Sequence, residues 1–262
     1  MSLHPTALIS DNADLGSNVT VGPYAIIEEG VVVGENCMIA AAAQLRRGTR
    51  IGKNNKIGSG SILSADPQSV TFDSTTESGV EIGDDNELRE YVTIHRSTEE
   101  GNSSRIGNGN YLMTGAHLGH DSIIGDENVM ANNVLLGGHV TVGNRCFFGG
   151  GSVYHQFVRI GDYVMVQGLA GMSLDMPPYV IAAGVNSVAG INSVGLRRAG
   201  FDGRARKEIK EIFRQLYREG KTIPDLLSEI EGKEVIPEME LFFQFLRDPS
   251  KKGVCVRFGN QH

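Results

Sequence analysis

Five of the chain's seven histidines fall in its central part, at His95, His117, His120, His139 and His155. Histidine titrates near neutral pH, so a well-placed imidazole can take a proton from a hydroxyl group and pass it to a leaving group. Asp121 directly follows His120 and is a candidate for the carboxylate that orients such a base. Whether these side chains meet depends on the fold that positions them.

An aliphatic or bulky apolar residue recurs at every sixth position through most of the chain. A first series runs from Ile9 to Leu63, and a second runs from Ile82 to Met172 with one polar exception, at Glu100. A period of six fits neither a helix nor a flat strand, but it is typical of a parallel β-helix in which three hexapeptides form one triangular coil. The 34 glycines suit the corners of such coils. We therefore predict an all-β parallel β-helix.

This coil geometry predicts which histidines lie together. Residues 18 or 36 positions apart lie above one another, and His139 and His155 follow His120 by 19 and 35 residues. We expect these three side chains to stack near one corner over about two strand spacings, on the order of 10 Å. His117 directly precedes a ladder residue, and we expect it near the same corner.

Zinc binding is the alternative interpretation of clustered histidines, because zinc sites use several converging ligands. Carbonic anhydrases built on β-helices have ligands that resemble a histidine pair five residues apart, with a third about two coils earlier. The nearest pair here, His117 and His120, is three residues apart. We therefore expect acid–base chemistry without a metal, and we keep a zinc-dependent enzyme of the carbonic anhydrase type as an alternative.

Length and composition limit the function further. The chain of 262 residues is long enough for one large or two modest domains, and its net charge of −7 argues against a general nucleic-acid-binding protein. The three cysteines have no metal or redox spacing, which favours a cytoplasmic location. The sequence has no signal-peptide pattern and no run of 18 apolar residues, so we expect no integral membrane segment.

Two interruptions and one change of period divide the chain. Residues 66–79 and 96–105 break the ladder and are expected to leave the β-helix as external loops. Further on, apolar residues such as Ile209, Ile212 and Phe213 follow a helical spacing. We therefore predict a β-helix over residues 1–197 and a small α-helical C-terminal domain over residues 198–262.

The histidines lie within longer segments that occur in a fixed order. These segments are Glu90 to Arg96, Gly115 to Asp121, Leu136 to Val140, Tyr154 to Phe157, Asp175 to Tyr179, Gly195 to Phe201 and Phe245 to Asp248. Together they closely resemble the acyl-[acyl-carrier-protein]–UDP-N-acetylglucosamine O-acyltransferase family, whose reaction begins lipid A biosynthesis. The resemblance covers essentially the whole chain, whereas the ladder alone would indicate only a large acyltransferase superfamily.

The resemblance implies a left-handed β-helix and a homotrimer with active sites between neighbouring prisms. It implies that His120 is the general base toward the 3-hydroxyl of the sugar, that Asp121 orients His120, and that the Gly138 N–H stabilises the oxyanion. The acyl donor is a hydroxyacyl thioester of acyl carrier protein, which is a co-substrate, so no cofactor is expected. The residues implied to bind substrates are His117, His139, His155, Gln156, Gly168, Asn192 and Arg198.

Within that set, Asn192 and Arg198 correspond to nucleotide contacts. Gly168 corresponds to the position that limits acyl length in this family, and glycine there would leave room for a longer chain. Another hexapeptide acyltransferase, such as the N-acyltransferase of the same pathway, is an alternative. That enzyme normally has an additional N-terminal domain, whereas this chain enters its first coil by Ile9.

Four positions depart from the family pattern. In the first loop, Ser69 and Thr71 stand where the family usually has an aspartate and a lysine. Val194 replaces an acidic residue near the ribose, and Ala199 replaces the second arginine of a pair. Serine cannot supply a carboxylate's charge, and the absent lysine removes a phosphate partner. We therefore expect a modified acceptor, such as a UDP-sugar with a 3-amino group, or a low affinity for the plain sugar.

Acyl carrier protein is acidic as a class, so its docking site should be basic. A basic cluster near the start of the helical domain is the candidate. Its members are Arg197, Arg198, Arg204, Arg206, Lys207 and Lys210.

Overall fold

The computed structural model describes residues 1–259, which form a β-helix of short strands, two external loops and four α-helices. Most strands contain two residues, and nearly every strand pairs in parallel with the strands one coil before and one coil after it. Ile26, for example, pairs with Leu8 and Gln44, each 18 residues away. The parallel β-helix predicted from the six-residue period is confirmed, and so is the left hand that the family resemblance implied.

The strands build three faces, named here face A, face B and face C in the order in which the chain visits them. Face A contains β1 (Ser2–Leu3), β4 (Thr20–Val21), β7 (Met38–Ile39), β10 (Lys56–Ile57), β13 (Glu87–Leu88), β16 (Tyr111–Leu112), β19 (Val129–Met130), β22 (Phe147–Phe148), β25 (Met165–Val166), β27 (Val180–Ala183) and β28 (Ser187–Ile191). Face B contains β2 (Leu8–Ile9), β5 (Ile26–Ile27), β8 (Gln44–Leu45), β11 (Ile62–Ala65), β14 (Thr93–His95), β17 (His117–Leu118), β20 (Leu135–Leu136), β23 (Val153–Tyr154) and β26 (Gly171–Met172). Face C contains β3 (Asp14–Leu15), β6 (Val32–Val33), β9 (Thr49–Ile51), β12 (Gly79–Ile82), β15 (Ser103–Ile106), β18 (Ile123–Ile124), β21 (Thr141–Val142) and β24 (Arg159–Ile160).

The ladder residues fill the inside of the prism. In a two-residue strand the second residue points inward, and Ile27, Leu45 and Leu88 are each at most 1% exposed. Burying an aliphatic side chain of this size contributes about 1.5–3 kcal/mol, so the column is the main source of stability. The first residue of a two-residue strand points outward and gives each face its surface character.

A buried ladder of asparagines runs beside the aliphatic column. The side-chain oxygens of Asn55, Asn86 and Asn110 each accept a hydrogen bond from the backbone N–H of the asparagine in the next coil, at 2.8–2.9 Å. Asn128 ends the series and accepts from the Cys146 N–H at 2.8 Å. These amides satisfy backbone groups that water cannot reach, so the ladder links five consecutive coils.

The two external loops differ in length. Ile51 pairs with Ile82 on face C, so residues 66–78 form the first loop, and Gly79 already belongs to a strand. The second loop covers only residues 96–102, because the next strand begins at Ser103. The prediction that this loop extends to residue 105 was wrong. Residues 103–105 are polar and therefore lack the apolar pattern, but they belong to a strand that pairs on both edges.

The last coil closes differently from the others. β27 and β28 form an antiparallel hairpin, which the six-residue pattern did not predict. Four helices follow, namely α1 (Ser193–Arg198), α2 (Gly203–Tyr217), α3 (Ile223–Ile230) and α4 (Pro237–Arg247). Helical structure therefore begins at Ser193, five residues before the predicted boundary, because the Asn192 side chain accepts a hydrogen bond from the Gly195 N–H and caps α1.

The chain after α4 returns to the β-helix instead of continuing as a helix. Val254 forms a β-bridge with Asp175, and Phe258 forms one with Val188. The prediction of a helical domain was therefore wrong for residues 250–259, and its last three residues, 260–262, lie outside the described residues. Among residues 1–259, no helix is long and apolar enough to cross a membrane.

Candidate active site

One corner of the prism, where the chain passes from face B to face C, brings the candidate residues together. We name it the histidine corner, and it consists of residues 119–121, 137–139 and 155–157. Its third positions, Asp121, His139 and Phe157, have left-handed φ angles of 59°, 58° and 69°. Because these three residues are one coil apart in a single column, a separation of 18 residues becomes a spacing of roughly 4.8 Å.

His120 and Asp121 form a hydrogen-bonded pair. His120 Nδ1 lies 2.8 Å from Asp121 Oδ2, so Asp121 keeps the ring proton on Nδ1 and leaves Nε2 free to accept one. Asp121 also accepts hydrogen bonds from the Ser97 hydroxyl and, at 2.7 Å, from the Thr98 hydroxyl. Burial raises the pKa of Asp121, but the hydrogen bonds from Ser97, His120 and Thr98 outweigh burial and hold the pKa below its usual value.

Gly138 lies against the opposite edge of the His120 ring. A methyl group at Gly138 would lie 2.6 Å from His120 Nε2, so a larger residue would displace the imidazole. Gly138 is buried, and its N–H donates to no acceptor within residues 1–259. At the corner between faces C and A the corresponding amides are capped, for example the Asp84 N–H by Asn108 Oδ1 at 2.8 Å. The Gly138 N–H is thus free to donate to a negatively charged oxygen.

His139 lies on the other side of Asp121. Its Nε2 is 3.6 Å from Asp121 Oδ2, and its ring lies edge-on to His120 with centroids 5.1 Å apart. The His139 ring also stacks on Phe157 with centroids 4.5 Å apart. Burial lowers the pKa of His139, and the Asp121 charge only partly opposes this effect. His139 is therefore neutral near pH 7 and can exchange hydrogen bonds with a polar substrate group.

A second histidine pair, His95 and His117, lies on face B and contacts the start of the first external loop. The rings of His95 and His117 lie edge-on with centroids 5.1 Å apart, and His117 Nδ1 lies 2.8 Å from the Thr93 hydroxyl. Burial, reinforced by His95, lowers the pKa of His117 to about 4. His95 bonds through Nδ1 to the Asp66 carbonyl at the start of the loop.

Arg96 fixes the same loop from inside. Its guanidinium pairs with the Asp66 carboxylate at 2.9 Å and donates to the Ser74 and Thr76 carbonyls. It also lies over the Phe72 ring, 4.8 Å from the centroid. Because Arg96 is 9% exposed and uses all three guanidinium nitrogens, it holds the segment that carries Ser69 and Thr71 in one conformation.

Other predicted site residues lie farther out. His155 and Gln156 belong to the histidine corner but are exposed, and no hydrogen bond or ring contact joins either of them to His120 among residues 1–259. The expectation that His155 stacks with His120 and His139 is therefore met in position but not in contact. Gly168 is exposed and passes close to the preceding coil, since a methyl group there would lie 3.2 Å from the Gly150 carbonyl oxygen.

Asn192 and Arg198 lie at the two ends of α1. The Asn192 side chain donates to the Tyr163 carbonyl at 2.8 Å and accepts from the Gly195 N–H at 3.0 Å, so both of its polar atoms serve local structure. Arg198 is exposed in the last helical turn. Neither residue contacts the histidine corner within the described part of this single chain.

Several residues beside the corner were missed by sequence reasoning. Ser97 and Thr98 contact Asp121 only because the second loop inserts six residues into the coil, an insertion whose length the sequence pattern left undefined. Lys251 and Lys252 reach the corner from the far end of the chain. For Ser97 and Thr98, the one available signal in the sequence was the family-like segment Glu90 to Arg96, which directly precedes Ser97.

The corner also satisfies the distances of a metal site. Ligand atoms of His120, Asp121 and His139 all lie within 4.8 Å of one another. However, the Asp121 oxygens already accept hydrogen bonds from Ser97, Thr98 and His120, and His120 Nδ1 is used in the last of these. A metal would have to displace these bonds, so the donor arrangement favours an oriented base, and metal-free chemistry stays a prediction.

Comparisons with known proteins agree with this geometry. The family model for "Udp N-acetylglucosamine O-acyltransferase; Domain 2" matches residues 175–255, and the bacterial transferase hexapeptide model matches residues 12–47, 30–65 and 103–138. Among curated relatives, the acyl-[acyl-carrier-protein]–UDP-N-acetylglucosamine O-acyltransferase of Synechocystis sp. is 38% identical over 197 residues, which is 75% of this chain and 71% of the relative. The enzyme of that name from Gloeothece citriformis is 39% identical over 195 residues, 74% of this chain and 69% of the relative.

A solved structure extends the similarity to nearly the whole chain. The UDP-N-acetylglucosamine O-acyltransferase of Moraxella catarrhalis superimposes with a TM-score of 0.91 at 35% identity, covering 97% of this chain and 100% of that one. This structure matches both the β-helix that carries the histidine corner and the helices that follow it. The chain therefore belongs to the acyl-[acyl-carrier-protein]–UDP-N-acetylglucosamine O-acyltransferase family.

Proposed function

We propose that this acyltransferase moves a (3-hydroxy)acyl chain from acyl carrier protein to the 3-hydroxyl of UDP-N-acetylglucosamine, the first step of lipid A biosynthesis. The observation that carries the proposal is the arrangement of three groups. Asp121 orients His120 from one side, and Gly138, whose N–H has no acceptor among residues 1–259, packs against the other edge of the same ring. A base and an oxyanion donor are thus close enough to act on one acyl transfer.

The first half of the reaction uses His120 as the base. Its Nε2 takes the proton of the sugar 3-hydroxyl while that oxygen attacks the thioester carbonyl carbon. A C–O bond forms, the carbonyl oxygen becomes an oxyanion, and the Gly138 N–H donates a hydrogen bond to it. Asp121 stabilises the imidazolium that His120 becomes, as a carboxylate does in Ser-His-Asp systems.

The second half reverses the proton transfer. The oxyanion collapses to the ester, the C–S bond breaks, and the imidazolium returns its proton to the departing sulfur of the carrier arm. No electron acceptor or further reactant is needed, so the proposal includes no cofactor. The neutral His117 and His139 rings are proposed to hydrogen-bond the substrates, together with His155, Gln156, Gly168, Asn192 and Arg198.

Subunit interfaces are part of the proposal. Outward residues on face A form an apolar column of Tyr111, Val129, Phe147, Met165 and Ile181. Exposed Leu135 and Val153 continue on face B beside His117, whereas face C carries charged residues such as Arg50 and Glu81. Two apolar faces and one polar face suit a homotrimer whose active sites lie between prisms. A cytoplasmic location is proposed with it.

Docking of acyl carrier protein is proposed at the basic cluster. In that cluster Arg204 is engaged by Glu208 at 3.0 Å, whereas Lys207 and Lys210 are exposed and, among residues 1–259, unpaired. Free cations of this kind can steer an acidic partner.

In the direct test, the purified protein is mixed with UDP-N-acetylglucosamine and with acyl carrier proteins that are loaded with hydroxyacyl chains of several lengths. The product is identified by mass. The proposal expects a product heavier than the nucleotide sugar by one acyl group. Absence of any acylated sugar with every donor would contradict it.

A second acceptor is favoured by one observation in the first loop. The Ser69 and Thr71 hydroxyls lie 3.3 Å apart and hydrogen-bond each other, so no charge is offered where the family usually has two. A UDP-sugar with an amino group at position 3 is the candidate, because an amine is a stronger nucleophile than a hydroxyl and depends less on the surroundings of the base. Competition between the plain and the 3-amino sugar tests it, and a clear preference for the plain sugar would contradict it.

A further inference from the structure

The segment after α4 is fixed against the β-helix beside the histidine corner. The Asp175 N–H donates to the Gly253 carbonyl at 2.9 Å, and the Cys255 N–H donates to the Asp175 carbonyl at 2.8 Å. The buried Asp175 carboxylate pairs with Arg159 at 2.7 Å, and Arg159 also lies over the Phe245 ring at the end of α4. Residues 253–255 are therefore held in place by the backbone of Asp175, a residue of the β-helix that the Arg159 side chain fixes from the other side.

This anchoring presents two neighbouring ammonium groups to the corner. Lys251 Nζ lies 4.2 Å from the centroid of Phe157, whose ring stacks on His139. Lys252 is half-buried, and its Nζ lies 3.0 Å from His155 Nδ1. The Ser250 hydroxyl accepts hydrogen bonds from the Lys252 and Gly253 N–H groups at 3.2 and 2.7 Å, which shapes the turn that holds both lysines.

The charges around this turn are unbalanced. Within residues 1–259, neither ammonium is paired with a carboxylate, whereas Lys221 of the helical part, for example, pairs with Glu229. The Lys251 charge also acts on His139 in the direction that lowers its pKa. Two adjacent cations held without a counter-charge beside a substrate site are typical of anion recognition, and the compact ammonium suits phosphate oxygens.

We propose that Lys251 and Lys252 form a phosphate-binding site of the enzyme, which binds a phosphate group of a substrate at the outer edge of the histidine corner. The inference rests on the proposed function, because both substrates of that reaction carry phosphate. The nucleotide sugar has a diphosphate, and the carrier arm has the phosphate of 4′-phosphopantetheine. The ligand chemistry is the same for either source, and the experiment separates them.

Amine footprinting tests the site without requiring turnover. Full-length protein is treated with acetic anhydride in four separate reactions: without a probe, in the presence of UDP, in the presence of 4′-phosphopantetheine and in the presence of pantetheine. Mass spectrometry then measures the acetylation of each lysine. We expect Lys251 and Lys252 to be protected severalfold by one phosphorylated probe and not by pantetheine. Lys233, an exposed lysine on the loop after α3, is the internal control and should react equally throughout.

Kinetics then identify the substrate. Lys251→Ala should raise one KM about tenfold, the loss expected for one charge-assisted hydrogen bond, and leave kcat within about twofold. A raised KM for acyl-phosphopantetheine, but not for acyl-pantetheine, assigns the site to the carrier arm, and a raised KM for the UDP-sugar assigns it to the diphosphate. Lys251→Arg should restore much of the affinity, and Lys233→Ala should match wild type.

The two proposals fail differently. If a phosphorylated probe protects Lys251 and Lys252 but the protein transfers no acyl group, the proposed reaction is overturned and the phosphate-binding site still stands. Equal acetylation of Lys251 and Lys252 with all probes would overturn the phosphate site, even if acyl transfer is normal. If Lys251→Ala lowers thermal stability, footprinting of the wild-type protein still decides the question.

Discussion

At the residue scale, Gly138 combines two requirements in one position. Its N–H has no acceptor in the described chain, and its missing side chain leaves room for the His120 ring. The backbone donor and the base are therefore set at a fixed separation by the same residue. A change here should affect the reaction more than the fold.

We predict that Gly138→Ala lowers kcat by about 10²- to 10⁴-fold, the range expected when a general base is displaced, while the protein stays folded. The physical reason is the 2.6 Å approach of the new methyl group to His120 Nε2. Steady-state kinetics and circular dichroism check it. Gly203→Ala, where the added methyl group meets open space, is the matched control, and equal activity of the two variants would contradict the prediction.

Acid should destabilise the protein through His117. Its pKa is about 4 in the folded state and about 6.5 in an unfolded chain, so between these values the unfolded state binds more protons. The free energy of unfolding should therefore fall as pH decreases from about 6.5 to about 4, by at most about 3 kcal/mol from this residue. Urea unfolding at several pH values measures the slope. His117→Gln should reduce it, and an unchanged slope would contradict this origin.

Some of the site residues could be predicted from the sequence and others could not. The coil period places His120 and His139 at one corner, and the family resemblance names Asp121 and Gly138. The partners of Asp121, Ser97 and Thr98, depend on the length of an inserted loop, which no periodic pattern encodes.

At the element scale, two kinds of column hold the coils together. The aliphatic column is visible in the sequence because its period is regular. The buried asparagine ladder has the same period, but Asn86 follows Asn55 by 31 residues and Asn110 follows Asn86 by 24, since the two loops interrupt it. A column that crosses two insertions is recognised only when the register of the strands is known.

We predict that Asn110→Ala lowers the free energy of unfolding by about 2–3 kcal/mol. The substitution leaves the Asn128 N–H, 2.9 Å from the lost oxygen, without an acceptor in a buried position, and each such group costs about 1–3 kcal/mol. Chemical denaturation measures the change. Asn132→Ala removes an exposed amide of the same type and should be nearly neutral, so equal losses for both variants would count against the ladder.

The ends of several strands and helices could not be predicted from the six-residue pattern. The ladder predicts the prism, yet it fails at residues 103–105, where polar residues form a strand, and at Val180–Ile191, where the chain turns back in an antiparallel hairpin. Asn192 is an ordinary helix N-cap residue, so the start of α1 could have been found from local sequence. The return of residues 250–259 to the β-helix could not, because it depends on contacts with Asp175 and Val188, which precede the helical part in the sequence.

At the scale of the whole molecule, the three faces are unequal. The apolar column on face A reaches 41% exposure at Phe147, and face B exposes Leu135 and Val153 beside His117. Asn192 and Arg198 do not reach the histidine corner of their own chain. The predicted nucleotide contacts are therefore consistent with a site completed by a neighbouring copy.

We predict that the protein in solution has three times the 28.2 kDa mass of one chain. Phe147→Glu should shift it toward the monomer and lower activity, because a charge would be buried in the interface. Ile123→Glu is the control, since Ile123 is an exposed apolar residue on the polar face C. Light scattering after gel filtration gives the masses, and a monomeric wild-type protein with full activity would refute the shared site.

In the proposed reaction, His120, oriented by Asp121, is the base that drives acyl transfer to the sugar. The most direct test of this role is the rate of acylated-sugar formation by His120→Ala and wild type at equal concentration, with the product identified by mass. Loss of the base should lower the rate by about 10²- to 10⁴-fold without changing the fold or the oligomeric mass. A His120→Ala protein that forms the same product within a few-fold of the wild-type rate would contradict the account.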